Sequence, residues 1–296
     1  MFLPLMKVGM KMPVKLLDIT KRPDVQELIS CATAEDIGTG DVTTNALASK
    51  TARARAVIIS RADCIVSGVD VAKAVFRNVN RGIRCAVKIT DGQPAKSDQV
   101  IMNIEGPVRG ILAAERTVLN FMQRMTGIAT FTKTFVEKVK AQGTTILDTR
   151  KTTPTLRVLE KYAVLCGGGQ NHRMGLYDMA LIKDNHRALW RGGLNEAVQT
   201  IRKMSPGIKI EVEVENEREL ESALKADPDW ILLDNMSPAR MRRCVKICGK
   251  RARLEASGGI TLSNVKQVAR TGVDAISLGC LTHSAPAADL SMEILK

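Results

Sequence analysis

The chain has 296 residues, which is enough for one large or two modest domains with well-formed cores. Its net charge is +13, yet it has no run of five or six consecutive basic residues, and only 3% of its residues are aromatic. Proteins that bind single-stranded nucleic acid rely on aromatic side chains and basic tracts, so this composition argues against that class. We expect part of the excess charge to converge on a site for a small anion.

The cysteines and the N-terminus indicate where the protein works. The seven cysteines are scattered without a CxxC pair, which is typical of free thiols in a reducing compartment. The opening residues, MFLPLMKVGMKMPVK, hold too short an apolar stretch for a signal peptide, and no apolar run is long enough to span a membrane. We therefore expect a cytoplasmic protein with no membrane partner, translated from Met1 or from a later start such as Met10 or Met12.

Residues up to about 110 are rich in predicted strands, with short helices between them. TARARAVIIS begins with the period-two pattern of a half-buried strand. CAVKITDGQPAKSDQVIMNIEGPVRGIL adds further strand signals, with predicted turns at Asp91-Gly92 and Gly106-Pro107. The earlier segment EDIGTGDVTT lacks the spacing of a calcium loop and predicts a structured turn.

A helix is predicted over AAERTVLNFMQRMTGIATFTKTFVEKVKAQG. Val118, Met122, Met125 and Ala129 recur at helical spacing and form its buried stripe. Arg116 lies opposite that stripe and points away from the helix's own core, so it is either a solvated side chain or a functional one.

From residue 144 the pattern changes to short apolar runs separated mostly by helix-like stretches. The runs are TTILDT, DMALIKDN, IKIEVEVE, DWILLDN, ARLEAS and VDAISLG. This alternation predicts a parallel sheet. Because no dinucleotide glycine fingerprint follows the first run, a β/α barrel is favoured over a Rossmann sheet. Within this half, SPARMRRCVKICGK predicts a helix capped by Ser237 and ended by Gly249, with Cys244 and Cys248 packed in it rather than binding a metal.

Polar residues cluster where the predicted strands end. They are Arg150, Lys151, Lys183, Asn185, Glu213, Glu215, Asp234, Asn235, Ser257 to Gly259, and Gly279. In β/α barrels the loops after the strands converge on one mouth, where active sites form. The glycines late in the barrel are either tight turns or a phosphate cradle, and their position favours the cradle.

The charges at this mouth are of both signs. Glu211, Glu213 and Glu215 alternate along one strand and share a face, which we expect to point inward together with Asp234. Hard oxygen ligands of this kind suit magnesium, arriving with a phosphate, better than zinc. Arg150, His172, Arg173 and Lys183 supply the cationic side and favour a substrate that carries carboxylates.

Nine motifs in chain order carry a resemblance to a known family. They are EDIGTGDVTT, ERTVLNFMQRMTGIAT, DTRKTTP, GGGQNHRMGLYD, LIKDNH, EVEVEN, ILLDN, EASGGI and VDAISLGCLTHS. From about residue 25 to the C-terminus, the chain resembles the quinolinate phosphoribosyltransferases, the carboxylating nicotinate-nucleotide pyrophosphorylases. The resemblance implies transfer of phosphoribosyl from phosphoribosyl pyrophosphate to quinolinate with loss of CO2, dependent on magnesium, in NAD biosynthesis.

The resemblance also implies roles for individual residues. Quinolinate would be bound by Arg116, Arg150, His172, Arg173 and Lys183, with Arg116 reaching the site of a second subunit in a homodimer. Phosphoribosyl pyrophosphate would be bound by Lys151, Glu213, Asp234, Ser257, Gly258 and Gly279. Lys151, Glu213 and Asp234 are the candidate catalytic residues, and magnesium would be held through the substrate near Glu213 and Asp234. Glu213 and Glu215 are not distinguished by alignment.

The implied architecture is α/β, with an N-terminal α/β sandwich domain and an incomplete (β/α) barrel whose active site lies at the strand C-termini. The expected boundaries are residues 1–125 for the sandwich, 126–281 for the barrel and 282–296 for a tail that packs back on the first domain. Two residues depart from the family pattern: Thr155 stands where a glycine is expected, and Gln170 precedes Asn171.

Three other functions fit parts of the sequence. One is the molybdenum-transport-associated relative of this family, which shares the fold and takes a different acceptor. The second is a basic nucleic-acid-binding protein, which is suggested by net charge alone and would bind with strong salt dependence. The third is a catalytically inactive barrel that serves as an interaction module, which the full set of charged residues disfavours.

Overall fold

The computed structural model describes residues 18–295, so the candidate start sites Met1, Met10 and Met12 lie outside the described residues. The N-terminal part contains α1 (Pro23–Ile37), α2 (Val42–Leu47), β1 (Arg53–Ser60), β2 (Cys64–Ile65), α3 (Val69–Val79), β3 (Arg84–Val87), β4 (Pro94–Ala95) and β5 (Val100–Pro107). Strands β3, β5 and β1 pair antiparallel in one sheet, and α3 buries Val71, Val75 and Phe76. This antiparallel sheet with helices is the α/β sandwich that the sequence predicts.

A 32-residue helix, α4 (Val108–Val139), joins the two halves of the chain. Its predicted stripe of Val118, Met122, Met125 and Ala129 is buried. The helix packs against α3 and β2 from the N-terminal part and against elements of the C-terminal part. The expected boundary at residue 125 therefore falls inside one continuous helix.

The C-terminal part alternates strands and helices. Its elements are β6 (Thr145–Leu147), α5 (Arg157–Cys166), β7 (Ala180–Ile182), α6 (Asp184–Leu189), α7 (Leu194–Met204), β8 (Ile210–Val214), α8 (Glu217–Lys225), β9 (Trp230–Asp234), α9 (Pro238–Cys248), β10 (Arg253–Ser257), α10 (Val265–Ala269), β11 (Ala275–Ser277), α11 (Cys280–His283) and β12 (Leu290–Leu295). All six predicted apolar runs are strands.

These six strands form one parallel sheet in the order β6-β11-β10-β9-β8-β7. Within the described residues no ladder joins the edge strands β6 and β7. A single parallel bridge between Leu147 and Gln170 extends the β6 edge instead. The barrel is therefore incomplete, as predicted. Because parallel strands run in the same direction, their carboxyl ends all lie at one end of the barrel and form a common mouth.

The end of the chain returns to the N-terminal sheet, where β12 pairs antiparallel with β1. On the way it crosses α4 at Gly127, where a Cβ atom would lie 2.0 Å from the Pro286 carbonyl oxygen. Only glycine permits this contact, so the tail and the long helix are packed backbone to backbone. The barrel is thereby joined to the first domain by α4, which precedes it in the sequence, and by β12, which follows it.

Two predicted turns differ in detail from the structure. Gly106 and Pro107 do not form a turn but lie in β5, paired with Ala54 and Arg53. The glycine is needed there for close packing, since a Cβ at Gly106 would be 2.9 Å from the Ile83 Cα. EDIGTGDVTT is a turn only at its centre: its first residues end α1, and its last begin α2, which Asp41 caps through the Thr44 amide at 2.8 Å.

The predicted helix in SPARMRRCVKICGK is confirmed as α9, with Ser237 as its N-cap and Gly249 as its C-cap. Cys244 and Cys248 are buried in it as free thiols. Among the described residues, no helix is both long enough and apolar enough to cross a bilayer.

Candidate active site

A cavity of about 790 Å³ opens at the carboxyl ends of the six parallel strands. Its lining includes all the predicted site residues except Arg116, namely Arg150, Lys151, His172, Arg173, Lys183, Glu213, Asp234, Ser257, Gly258 and Gly279. Of the residues predicted at the strand ends, Asn185 and Glu215 do not line this cavity, and all the others do.

Arg116 lies elsewhere. It is exposed on α4, opposite the buried stripe of that helix, and does not line the cavity of its own chain. Its side chain points to solvent in a single subunit, as the sequence predicts.

The cationic wall of the cavity carries three permanent charges: Arg150 after β6, Arg173 in the loop before β7, and Lys183 after β7. The Arg150 Nε atom is buried and has no hydrogen-bond partner among the described residues, so it is free to donate to a ligand. Burial, and then the neighbouring charge of Arg150, lowers the pKa of Arg173 from its usual value. Like charges held this close are stabilised by an anion between them.

A fully buried ion pair fixes the loop that leads to Arg173. Lys161 Nζ donates to Asp148 Oδ1 and to the His172 carbonyl oxygen, the latter at 3.0 Å. Asp148 also accepts from Asn171 Nδ2 at 2.5 Å and from the His172 backbone N–H at 2.9 Å. Both backbone groups of His172 are therefore held by this pair. The pair itself was not predicted, although Asp148 follows directly after the apolar run of β6.

His172 lines the cavity, but its hydrogen bonds show that it is not one of the cations. Its Nδ1 accepts from the Arg173 backbone N–H at 2.7 Å, and its Nε2 lies 2.9 Å from Glu211 Oε2. Burial lowers the pKa of His172 below its usual 6.5, so the ring is neutral at pH 7. The expectation of a fourth positive charge at this position is therefore wrong, because Nδ1 already accepts a hydrogen bond and burial opposes protonation of the ring.

The three glutamates in and just after β8 differ in how deeply they are buried. Glu211 is fully buried, Glu213 faces the cavity and bonds Lys183 Nζ at 2.7 Å, and Glu215 is exposed beyond the strand end. The expectation that all three point inward is wrong for Glu215, because the strand ends at Val214. Glu213 is therefore the one of the two candidates that lies in the cavity.

The opposite wall is built from tight glycine turns. Gly258 and Gly259 follow β10 with φ of 91° and 63°, and a Cβ at Gly258 would lie 2.1 Å from Asn235 Oδ1. Gly279 approaches Lys151, whose Cδ would be 2.9 Å from a Cβ at that position. The left-handed turn at Gly258 and Gly259 and the αR residue Gly279 leave the backbone at the cavity edge uncovered by side chains, so that an anion can approach its N–H groups. Asp234 ends the neighbouring strand and accepts from Asn235 Nδ2 at 2.8 Å.

Glu255 is a cavity residue that the sequence analysis missed. It lies in β10 with 1% of its surface exposed, and its Oε2 is 3.5 Å from His172 Nε2. A signal was present in the sequence: an acid in the middle of the apolar strand Arg253–Ser257, comparable to Glu211 in β8. Burial, and then the charge of Glu211, raises the pKa of Glu255 to about 8.

The fold and this cavity define a two-domain α/β protein whose incomplete barrel carries a cavity lined by charges of both signs at its open mouth. Residues 41–126 match the model of the quinolinate phosphoribosyl transferase N-terminal domain, and residues 128–293 match that of its C-terminal domain. The two matches meet within α4.

Individual relatives are similar over nearly the whole chain. The chain is 40% identical over 271 residues to the "Probable nicotinate-nucleotide pyrophosphorylase [carboxylating]" of Bacillus subtilis, covering 91% of this chain and 93% of the relative. It is 41% identical over 271 residues to the Methanocaldococcus jannaschii protein of the same name, covering 88% and 94%. The solved structure of the nicotinate-nucleotide pyrophosphorylase from Francisella tularensis superposes with a TM-score of 0.88 at 40% identity, covering 94% of this chain and 99% of that one. The chain belongs to the quinolinate phosphoribosyltransferase family.

Proposed function

We propose that this protein transfers the phosphoribosyl group of phosphoribosyl pyrophosphate to quinolinate, releasing pyrophosphate and CO2 and forming nicotinate mononucleotide for NAD biosynthesis. The observation that carries this proposal is the single cavity in which Arg150, Arg173 and Lys183 face the glycine turns after β10 and β11, in a chain of this family. The molybdenum-transport-associated alternative is not favoured, because the relatives are named as carboxylating pyrophosphorylases.

Quinolinate would occupy the cationic wall. Its two carboxylates match the three permanent charges of Arg150, Arg173 and Lys183, and the unpaired Nε of Arg150 offers a donor to one of them. His172 would contact the substrate as a neutral ring, since both of its nitrogens already have partners. Quinolinate would also compete with Glu213 for Lys183, because Lys183 Nζ donates to Glu213 Oε2 at 2.7 Å in this structure.

Phosphoribosyl pyrophosphate would lie across the other side of the cavity. Its 5′-phosphate suits the backbone donors around Ser257, Gly258 and Gly279. Lys151 packs against Gly279, and its ammonium group would bind the pyrophosphate of this substrate as a point charge. Glu213 and Asp234 lie at the carboxyl ends of the neighbouring strands β8 and β9 and would accept from the ribose hydroxyls.

Magnesium fits the side of the cavity that phosphoribosyl pyrophosphate would occupy, as an ion carried by that substrate. Hard oxygen donors are present at the ends of β8 and β9, and Asp234 keeps one carboxylate oxygen outside its bond to Asn235. Glu213 is engaged by Lys183, so Asp234 is the protein carboxylate that would stand beside the ion. The ion would neutralise charge on the departing pyrophosphate.

The chain's own residues would act mainly through charge and position. As pyrophosphate leaves, positive charge develops on the ribose carbon, and the carboxylates of Glu213 and Asp234 would stabilise it. The cations would hold quinolinate with its ring nitrogen toward that carbon, so that attack needs no covalent enzyme intermediate. The resulting pyridinium nitrogen accepts the electrons that remain when the adjacent carboxylate departs as CO2.

The site would be completed by a second subunit. Arg116 is exposed on α4 and outside its own cavity, which suits a role in the cavity of a partner subunit within a homodimer. A cytoplasmic location also stays a prediction.

A turnover assay with magnesium and phosphoribosyl pyrophosphate tests the function, with quinolinate and nicotinate compared as acceptors. We expect CO2 and nicotinate mononucleotide from quinolinate and little product from nicotinate. Equal use of nicotinate, or product from quinolinate without CO2, would exclude the carboxylating assignment.

A further inference from the structure

His172, Glu211 and Glu255 form a cluster in the floor of the cavity. One potential ligand atom from each side chain lies within 4.8 Å of those of the other two. Glu211 is in β8 and Glu255 in β10, on either side of β9, and their exposed fractions are 0% and 1%. Two carboxyl groups are thus held together away from water, beside the His172 ring.

The hydrogen bonds fix where the ring proton lies. The Arg173 backbone N–H donates to His172 Nδ1 at 2.7 Å, so that nitrogen carries no proton. The neutral ring therefore has its proton on Nε2, which lies 2.9 Å from Glu211 Oε2 and 3.5 Å from Glu255 Oε2. This N–H donates to Glu211 Oε2, and Glu255 Oε2 lies next to it.

The other oxygen of each carboxyl group, Oε1, is buried without a partner among the described residues. One oxygen of each carboxyl group lies within 4.8 Å of the other, and, against the effect of burial, the interaction with Glu255 acts to lower the pKa of Glu211. Two ionised carboxylates in such contact repel strongly, whereas one proton between them satisfies both oxygens. Burial, the first cause for both groups, raises the pKa of Glu211 and of Glu255 to about 8, in agreement with this hydrogen-bond count.

We propose that the Glu211–Glu255 pair stores one proton and that Glu255 delivers it to the pyridine carbon from which CO2 leaves. This inference rests on the proposed function and assigns a residue to its last step. Glu255 is the donor because it lines the cavity, whereas Glu211 lies behind it. Its position suits this role, because its Oε2 lies 3.5 Å from Nε2 of His172, and His172 and Arg173 line the same cavity.

The step balances without another reagent. The bond between the ring carbon and its carboxylate breaks, CO2 departs, and the electron pair stays on the carbon beside the positively charged ring nitrogen. The O–H bond of the carboxyl pair then breaks, and a C–H bond forms at that carbon. The pair is left doubly ionised, with the His172 Nε2–H still donating to it, and takes a proton from solvent before the next turnover.

The charges around the pair set its proton affinity. Arg173 and Lys183 favour ionised Glu211, and Glu213 opposes it. The charges of Glu211 and Asp148 oppose ionised Glu255, whereas a hydrogen bond from Ser277 favours it. Asp148 is itself paired with Lys161, which also donates to the His172 carbonyl oxygen.

Single-turnover measurements on Glu255→Gln test the proposal, with pyrophosphate and CO2 followed separately. We expect pyrophosphate release within about twofold of the unsubstituted protein, and CO2 release slower by about tenfold or more, as for loss of a general acid. Quinolinate mononucleotide should then accumulate. In the unsubstituted protein CO2 release should decline as pH rises above about 8, and this decline should disappear in Glu255→Gln. Glu255→Asp should restore part of the CO2 rate.

The matched control is Glu215→Gln, which changes an exposed acid at the end of the same sheet and should alter neither rate. The proposal is overturned if Glu255→Gln releases CO2 at the unsubstituted rate with the same pH dependence. It is also overturned if pyrophosphate and CO2 slow equally, or if only quinolinate affinity changes, because Glu255 would then position the substrate without supplying the proton. Failure of the unsubstituted protein to release CO2 at all would instead remove the proposed function.

Discussion

Lys161 and Asp148 form an ion pair in which neither side chain has any exposed surface. Burial raises the pKa of Asp148 and lowers that of Lys161 from their usual values, and the attraction between the two charges opposes both shifts. The pair is costly to bury but holds both backbone groups of His172. It therefore couples the interior of the barrel to the loop that presents Arg173.

Asp148→Asn should destabilise the protein strongly, since it leaves the Lys161 charge buried without its partner. We expect the free energy of unfolding to fall by about 3–5 kcal/mol, measured by urea denaturation. The double variant Asp148→Asn with Lys161→Met removes the charge and should recover part of this loss. If the single variant is as stable as the unsubstituted protein, the pair does not hold the loop as described.

Arg173→Ala and Lys183→Ala should each lower kcat/KM for quinolinate. A charge-assisted hydrogen bond contributes about 1.5–3 kcal/mol, so the expected loss is at least about tenfold in steady-state kinetics. Lys246→Ala on the exposed face of α9 removes the same charge at a distance and serves as the control. Equal effects of Lys183→Ala and Lys246→Ala would show that only net charge matters.

Arg116→Ala and Lys183→Ala subunits, each poorly active alone, should regain activity when mixed. In a mixed homodimer one of the two cavities would combine an intact Arg116 from one chain with an intact Lys183 from the other. The measurement is turnover after mixing and subunit exchange, with mixed dimers verified by tag pull-down. No recovery in verified mixed dimers would contradict shared sites.

Thr155→Gly should stabilise the fold. Thr155 has φ of 67°, a left-handed conformation that costs a β-branched residue about 1–2 kcal/mol and glycine almost nothing. We expect a higher Tm in calorimetry for Thr155→Gly. Thr155→Ala, which keeps a Cβ, should show no comparable gain. A loss of stability in the glycine variant would mean that the contacts of Thr155 outweigh its strain.

Stability should fall as the pH rises from about 4.5 to about 8. The pKa of Glu211 and of Glu255 is raised by burial from 4.5 to about 8, so the folded state binds protons more tightly than the unfolded chain. Their contribution is present below pH about 4.5 and is lost as the pH rises through the folded pKa. Urea denaturation at pH 5.5 and 8.5 should show a smaller difference for Glu211→Gln with Glu255→Gln. An unchanged difference would mean that the pair is already ionised in the folded state.

The sequence predicted the parts of this protein that repeat with a simple period. Six apolar strands predicted the incomplete barrel, and the polar residues that follow them predicted the cavity, because parallel strands must end at a common mouth. Thr155 was noticed as an unexpected residue, and its positive φ explains why glycine is favoured there. Gln170 contributes through its backbone, which bonds Ile146 and Asp148, so its side-chain identity matters less.

The sequence did not predict features that depend on which buried groups meet. Glu211 and Glu255 are 44 residues apart in the sequence, and only the strand order brings their carboxyl groups together beneath His172. The neutral state of His172 follows from a backbone N–H at its Nδ1, which no residue pattern reveals. The exposure of Glu215 depends on where β8 ends, a boundary that alternation alone does not fix.

A crystal structure of the protein with bound quinolinate would test the assignment of the cavity most directly. The account predicts that the two carboxylates contact Arg150, Arg173 and Lys183 at the barrel mouth, with Arg116 of the partner subunit closing the site. Quinolinate bound away from these side chains, with the cavity left to another molecule, would contradict it.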